Sequence, residues 1–211
     1  MSRAPRLGVD TGGTFTDAVV AADGGGWRAH KLPTTARAPG RAILACADAL
    51  LGSAGSLELI HGTTHATNAL LTGRLGRAVF ITNRGFGDLL AIGRQERATL
   101  YALEPVAVRP QQPRARVVEH DTESEESAAI EDTVRRVMSK RPQAVALCLL
   151  HAWRSGPEQR HERALARALR RALGAEVPVF SSHEHAPEIR EYERGATLWA
   201  QAALAPVVGP A

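Results

Sequence analysis

Lysine and aromatic rings are both scarce in this chain. Lysine occurs only at positions 31 and 140, although Lys and Arg together number 26 against 22 acidic residues. Aromatics make up 4% of the 211 residues, too few and too scattered for base-stacking platforms. The net charge of +4 and the pI near 9.7 therefore read as arginine spread among acids, not as a nucleic-acid footprint. Such an Ala-, Gly- and Arg-rich chain reflects base-composition bias in its coding DNA. Only two cysteines occur, Cys46 and Cys148, both in apolar stretches, and no CxxC is present. A structural zinc site is thus not supported, and both thiols read as small buried hydrophobes. No apolar run reaches the roughly 18 residues that span a bilayer. The first six residues carry no signal-peptide pattern, so the expected setting is cytoplasmic, with no membrane and no nucleic-acid partner.

What is present is a core-forming fraction, 44% hydrophobic, carried by Ala, Leu and Val. Arg6–Asp10, Phe15–Ala22 and Trp27–Leu32 read as three strands joined by glycine turns, an antiparallel meander. A helix is expected from Pro39-Gly40 to about Leu51, with Ile43, Leu44, Ala47, Leu50 and Leu51 on one face. A strand at Leu57–His61, a helix at Ala66–Thr72 and a strand at Arg77–Thr82 follow. Residues 83–116 carry Gly and Pro throughout, and read as a short helix near Gly87–Ile92 followed by an irregular surface insertion. Beyond it come a strand at Arg114–Glu119, a helix at Ala128–Lys140, a buried strand at Gln143–Leu150 and a charged helix at Glu158–Leu173. A strand at Val177–Ser181 and a final helix at Ile189–Leu204 complete the pattern. The expected fold class is α/β, one domain over 1–211, its mixed sheet opened by the three-strand meander and flanked by helices.

Chemistry concentrates at Gly8-Val9-Asp10-Thr11-Gly12-Gly13-Thr14-Phe15-Thr16-Asp17. An apolar strand delivers a carboxylate at its end. Two adjacent glycines then permit a tight turn without Cβ obstruction. Backbone N–H groups and the hydroxyls of Thr11, Thr14 and Thr16 can face an anion there. Asp10 would repel a phosphate directly, so its place implies a divalent cation between the two; magnesium binds through one or two carboxylates plus phosphate oxygens. A strand follows the turn where Walker and dinucleotide motifs place a helix.

The segment resembles the first phosphate loop of the actin-like ATPase and sugar-kinase superfamily. Within it, the chain resembles the N-terminal domain of the hydantoinase A/5-oxoprolinase family. Further blocks carry the resemblance in order: His61-Gly62-Thr63-Thr64-His65-Ala66-Thr67-Asn68-Ala69-Leu70-Leu71, Ile81-Thr82-Asn83-Arg84-Gly85-Phe86-Gly87-Asp88-Leu89-Leu90, Ile92-Gly93-Arg94-Gln95, Leu149-Leu150-His151 and Ser182-His183-Glu184-His185-Ala186-Pro187-Glu188-Ile189-Arg190-Glu191-Tyr192-Glu193-Arg194. It spans roughly Leu7 to Val208. It implies an actin-like (ribonuclease H-like) ATPase half, with ATP and Mg2+ as cofactors and a cyclic amide or similar carbonyl compound as substrate. By the resemblance, ATP phosphorylates the amide oxygen, Asp10 holds the metal as a catalytic residue, and Thr11, Gly12, Gly13, Thr14 and Phe15 cradle the phosphates. Such chemistry rests on positioning and charge neutralisation.

Other residues are candidates by position. His61, Thr63, Thr64 and Asn68 lie at a strand end and the helix after it, near enough to serve the substrate. Thr63 or Thr64 alternatively caps that helix. His61 and His65, four apart, lack a third ligand for a metal. Arg94 or Arg97 can take a substrate carboxylate or phosphate bidentately. The family pattern has an acid after the tyrosine here, and this chain reads Tyr101-Ala102-Leu103. His183 and Glu184 are placed to line the substrate cleft or act as general acid and base. They alternatively cap the last helix.

The superfamily closes its ATP site with a second domain, and no second Asp/Gly hairpin is present in this sequence. The expected partner is therefore a second ATPase domain or subunit, with the chain inactive alone. The competing reading is a non-catalytic assembly or regulatory subunit of a related ATP-dependent carboxylase or hydrolase complex.

Overall fold

The structure is a computed structural model and describes residues 4–22, 24–35, 38–52, 56–95, 101 and 116–209. Where one domain was expected, the chain divides into two compact units, Met1–Thr72 and Gly73–Ala211, each with its own four-stranded sheet.

The first unit contains β1 (Arg6–Thr11), β2 (Phe15–Ala21), β3 (Trp27–Pro33), α1 (Pro39–Leu51), β4 (Glu58–Thr63) and α2 (His65–Leu71). The meander forms as expected, and β4 joins it parallel to β1, giving the order β3-β2-β1-β4. Successive strand side chains alternate between faces. Leu7, Val9, Ala18 and Val20 therefore face one way and pack on Cys46, Ala47 and Leu50 of α1. Leu44, expected on that helix face, is 67% exposed. The stripe is centred on Cys46, with Ile43, Cys46, Ala47 and Leu50 at 3.6-residue spacing.

The second unit contains β5 (Ala78–Asn83), α3 (Leu89–Ile92), β6 (Val117–His120), α4 (Glu126–Ser139), β7 (Ala144–Leu147), α5 (Pro157–Leu173), β8 (Val179–Ser181), α6 (Ser182–His185) and α7 (Glu191–Val208). All four strands are parallel, in the order β6-β5-β7-β8. Both faces of such a sheet are covered, so its central strands are apolar throughout. Val79, Ile81, Val145 and Leu147 pack with Val137, Leu165 and Leu169 of α4 and α5. Ala78, Phe80, Ala144 and Ala146 pack on the opposite face with Leu198, Ala202 and Ala203 of α7. The irregular insertion expected at 83–116 falls largely outside the described residues, Arg97 with it; α3 is its described short helix. The buried strand expected at 143–150 is cut to Ala144–Leu147, because Leu149 turns to bond with a helix side chain. The one added element is α6, a single turn directly after β8.

Candidate functional site

In the first unit, the parallel pairing of β1 with β4 sets two separate sequence blocks side by side. Thr11 stands opposite Thr63 and Asp10 opposite Gly62, so the glycine turn and the His61–Asn68 block share one end of the sheet. The turn closes with a hydrogen bond from the Gly12 N–H to the Phe15 carbonyl at 2.9 Å. A Cβ on Gly12 would stand 3.1 Å from that same carbonyl oxygen. One on Gly13 would stand 3.4 Å from Asn68 Nδ2, and one on Gly62 would stand 3.4 Å from Asp10 Oδ1. Three glycines thus keep open the space around the Asp10 carboxylate and the turn.

The block from β4 holds the turn from the side. Thr63 Oγ1 donates to the Thr11 carbonyl at 3.2 Å, and the Thr64 N–H donates to the same oxygen at 3.3 Å. Thr63 Oγ1 also accepts the His65 N–H at 3.2 Å, while Thr64, the N-cap residue of α2, makes no side-chain capping bond. Asn68 Nδ2 donates to Thr64 Oγ1 at 3.2 Å, which places its amide beside Gly13. His61 Nε2 lies 3.0 Å from Thr11 Oγ1. His61 stands opposite Val9 and so projects on the face away from Asp10.

Asp10, Asp17 and Lys31 form one row across β1, β2 and β3. Carboxylates directly opposite each other repel. Lys31 Nζ bonds both oxygens of Asp17, at 2.8 and 3.1 Å, and lies 5.0 Å from the centre of the Phe15 ring. Among the described residues, no hydrogen bond or ion pair engages the exposed Asp10 carboxylate. One acid of the row is spent and the other is left open.

The second unit contains the remaining candidates. His183, on α6, is buried, and its Nδ1 lies 2.9 Å from Glu162 Oε1. Glu162, fully buried on α5, also accepts from the N–H groups of Leu149 (2.7 Å) and His183 (2.9 Å) and from Ser182 Oγ (2.9 Å). Arg194 of α7, equally buried, donates to Ser182 Oγ at 3.0 Å and to the Leu149 carbonyl at 2.8 Å. Glu184 is ion-paired with Arg170, whose hydrogen bonds hold its pKa down to about 2. A carboxylate so held is ionised at neutral pH and has no proton to give as a general acid. Arg94 Nε donates to Glu193 of α7 at 2.8 Å.

Glu162 escaped the sequence reading, and Arg194 stood in it only as the last residue of a family block, without a role of its own. Their signal was a charge within an apolar helical stripe: Glu162 runs with Leu165, Ala166 and Leu169, and Arg194 with Leu198 and Ala202. A charge on that stripe must find a buried partner.

Residues 6–173 match the model of the hydantoinase/oxoprolinase N-terminal region. The chain belongs to this family. It is 32% identical over 220 residues to an uncharacterized protein of Methanocaldococcus jannaschii, covering 96% of this chain and 31% of that protein. It is 32% identical over 227 residues to caprolactamase subunit alpha of Pseudomonas jessenii, covering 97% and 32%. The crystal structure of that ATP-dependent caprolactamase superposes with a TM-score of 0.73 at 29% identity, over 97% of this chain and 32% of that one. A nucleotide-free acetone carboxylase superposes with a TM-score of 0.78 at 20% identity, over 96% and 32%, a likeness of fold. The chain thus spans about a third of the length of these relatives. Among the described residues, no helix is long and apolar enough to cross a membrane.

Proposed function

We propose that the first unit is the phosphate-binding part of a nucleotide cleft in an ATP-dependent enzyme that opens a cyclic amide. The observation that carries this reading is the open Asp10 carboxylate beside a glycine turn whose neighbouring acid, Asp17, is already neutralised by Lys31. The residues present fit Mg-ATP: an exposed carboxylate with no partner among the described residues stands beside a turn whose glycines put no side chain between it and Asn68. Asp10 would hold Mg2+, and Thr11 through Phe15 would surround the phosphates. Bound ATP supplies a phosphoryl group to an amide oxygen, making the carbonyl carbon a better target for water.

The chain's own residues then have defined work. The hydrogen bonds from Thr63 and Thr64 fix the Thr11 carbonyl and with it the start of the turn. His61 holds the Thr11 side chain from behind. Asn68 presents its amide beside Gly13. Lys31 keeps Asp17 from competing for the cation. A preorganised cradle of this kind lowers the cost of neutralising charge as a phosphoryl group moves. The relatives support this reading: one is an ATP-dependent caprolactamase, whose matching chain is its alpha subunit. A second ATPase domain or a partner subunit would close the cleft.

The test is the Asp10→Ala variant, assayed in the completed enzyme with the missing part supplied. Magnesium-dependent ATP turnover is expected to fall at least a hundredfold, on the order of losing one well-placed electrostatic group, with the thermal unfolding midpoint unchanged. Turnover at the unsubstituted rate would sink the proposal.

A further inference from the structure

The second unit has a cavity of its own that the proposed phosphate site does not use. Its volume is about 310 Å3, and it opens at the carboxyl ends of β5, β6 and β7. β6 and β7 lie on opposite sides of β5, so the chain reverses its direction across the sheet at β5. Open parallel sheets take ligands at that reversal, because the two loops leave β5 in opposite directions and part there. The volume is at the small end of ligand cavities.

The walls are apolar at Leu149, Leu150 and Pro157. The polar groups are Asn83, Thr122, His151, Glu158 and His161. Asn83 is committed: its Oδ1 accepts the Leu150 N–H at 2.8 Å and its Nδ2 donates to Thr122 Oγ1 at 3.2 Å. His161 is committed too. Its Nε2 lies 2.6 Å from His120 Nε2, and its Nδ1 lies 3.4 Å from Glu126. His120 Nδ1 in turn lies 2.7 Å from Thr133 Oγ1. One neutral assignment satisfies the whole line: Thr133 donates to His120, His120 to His161, and His161 to Glu126.

The remaining polar groups are Glu158, His151 and the Thr122 hydroxyl, which accepts from Asn83 and keeps one lone pair and its own proton. Glu158 is the one formally charged residue among the described residues that line the cavity. Its carboxylate folds back over Gly156, 3.1 Å from where a Cβ on that glycine would stand. His151 sits at φ 59°, a left-handed conformation that costs a side-chain-bearing residue energy and recurs at functional positions. Its Nδ1 faces Glu191 at 3.8 Å, beyond hydrogen-bonding distance, and its ring lines the cavity.

We infer that this cavity is a binding site for a small primary alkylammonium ion. The ammonium group is taken by Glu158, with a His151 ring nitrogen and Thr122 Oγ1 as further acceptors, and its short chain lies against Leu149, Leu150 and Pro157. A carboxylate ligand would face Glu158 with no cation on the described lining to offset it. An uncharged ligand would leave the Glu158 charge to solvent and to the N-terminus of α5, in whose first turn it lies. The inference does not depend on the nucleotide reading of the first unit.

The experiment uses the 211-residue chain and three probes of one shape: butylamine, 1-butanol and butyrate. The histidine Cε1–H resonances are followed by NMR, with His151 and His161 assigned by single replacement. Butylamine at neutral pH is expected to shift both resonances saturably, and the other two probes are expected to leave them in place. Glu158→Gln is expected to weaken butylamine by about tenfold or more, the loss of one charge-assisted contact, while Glu158→Asp retains part of the binding. Butyrate or butanol binding as well as butylamine would overturn the inference, as would the absence of any saturable shift with butylamine. Unchanged butylamine affinity in Glu158→Gln would overturn it equally.

Discussion

Glu162 and His183 are 21 positions apart in sequence, yet the carboxylate and the imidazole Nδ1 meet at 2.9 Å in the interior of the second unit. Neither side chain reaches solvent appreciably: 0% of Glu162 and 3% of His183 is exposed. Around them the Ser182 hydroxyl and the backbone N–H groups of Leu149 and His183 use up the remaining hydrogen-bonding capacity of the carboxylate, and Arg194 donates to the Ser182 hydroxyl in turn. This joins α5, α6, α7 and the end of β7 through one acid.

Removing that acid leaves the N–H groups of Leu149 and His183 and the His183 ring buried without their acceptor. Glu162→Ala is therefore expected to cost about 3 kcal/mol or more, because several buried donors are left unpaired at about 1–3 kcal/mol each. Urea unfolding followed by circular dichroism measures it. A loss below about 1 kcal/mol, typical of an exposed pair, would mean that water reaches the cluster.

His120 gives the protein an acid limit. Burial, and next the His161 ring, hold its pKa down from 6.5 to about 4. The unfolded chain therefore takes up this proton at a higher pH than the folded one. The associated stability is full above pH 6.5 and falls as the pH drops from 6.5 to 4, by roughly 3 kcal/mol for one such group. Unfolding free energies at pH 7 and pH 4.5 check the sign. NMR titration should find the His120 ring still unprotonated at pH 5.5.

Gly12 and Gly13 are adjacent, but their substitution should separate two effects. A methyl group on Gly12 would crowd the Phe15 carbonyl at 3.1 Å, so Gly12→Ala is expected to cost about 1–3 kcal/mol. On Gly13 the nearest atom is Asn68 Nδ2 at an ordinary 3.4 Å, so Gly13→Ala should stay within about 0.5 kcal/mol of the parent stability. If the turn cradles phosphate, Gly13→Ala nevertheless weakens nucleotide binding in the completed enzyme. Thermal melts and nucleotide titration of both variants distinguish the outcomes.

Gly195 is a packing glycine. A Cβ there would stand 3.0 Å from Phe80 Cζ, where α7 approaches β5. Gly195→Ala forces the buried Phe80 ring or the helix to move, and about 1–3 kcal/mol of lost stability is expected. Phe80→Leu in the same background should recover part of it, which a double-mutant cycle measures.

Strand and helix identities were legible because side-chain period is local. The strands expected at Arg6–Asp10 and Phe15–Ala22 form at Arg6–Thr11 and Phe15–Ala21, and the apolar run expected at Gln143–Leu150 contains the strand Ala144–Leu147. The glycine turn was legible for the same reason: Gly-Gly after a strand-end acid is a property of ten consecutive residues. Leu44 was misassigned because a helix face is fixed by what packs on it, and the sheet in contact selected the stripe through Cys46.

The sequence by itself determined the element order, the glycine turn with Asp10 at its edge, and the family resemblance that runs through the ordered blocks. The tertiary structure decided which acids are used and which stay open. Asp17 is neutralised because β3 places Lys31 opposite it, while Asp10 stands between Asp17 and Gly62 with no cation opposite it. His183 is buried because α5 brings up Glu162, and Glu184 is ionised because Arg170 reaches it. The physical reason is common to all of these. A carboxylate's charge state and availability depend on groups within a few ångströms, and strand register and helix packing bring those groups from distant parts of the chain.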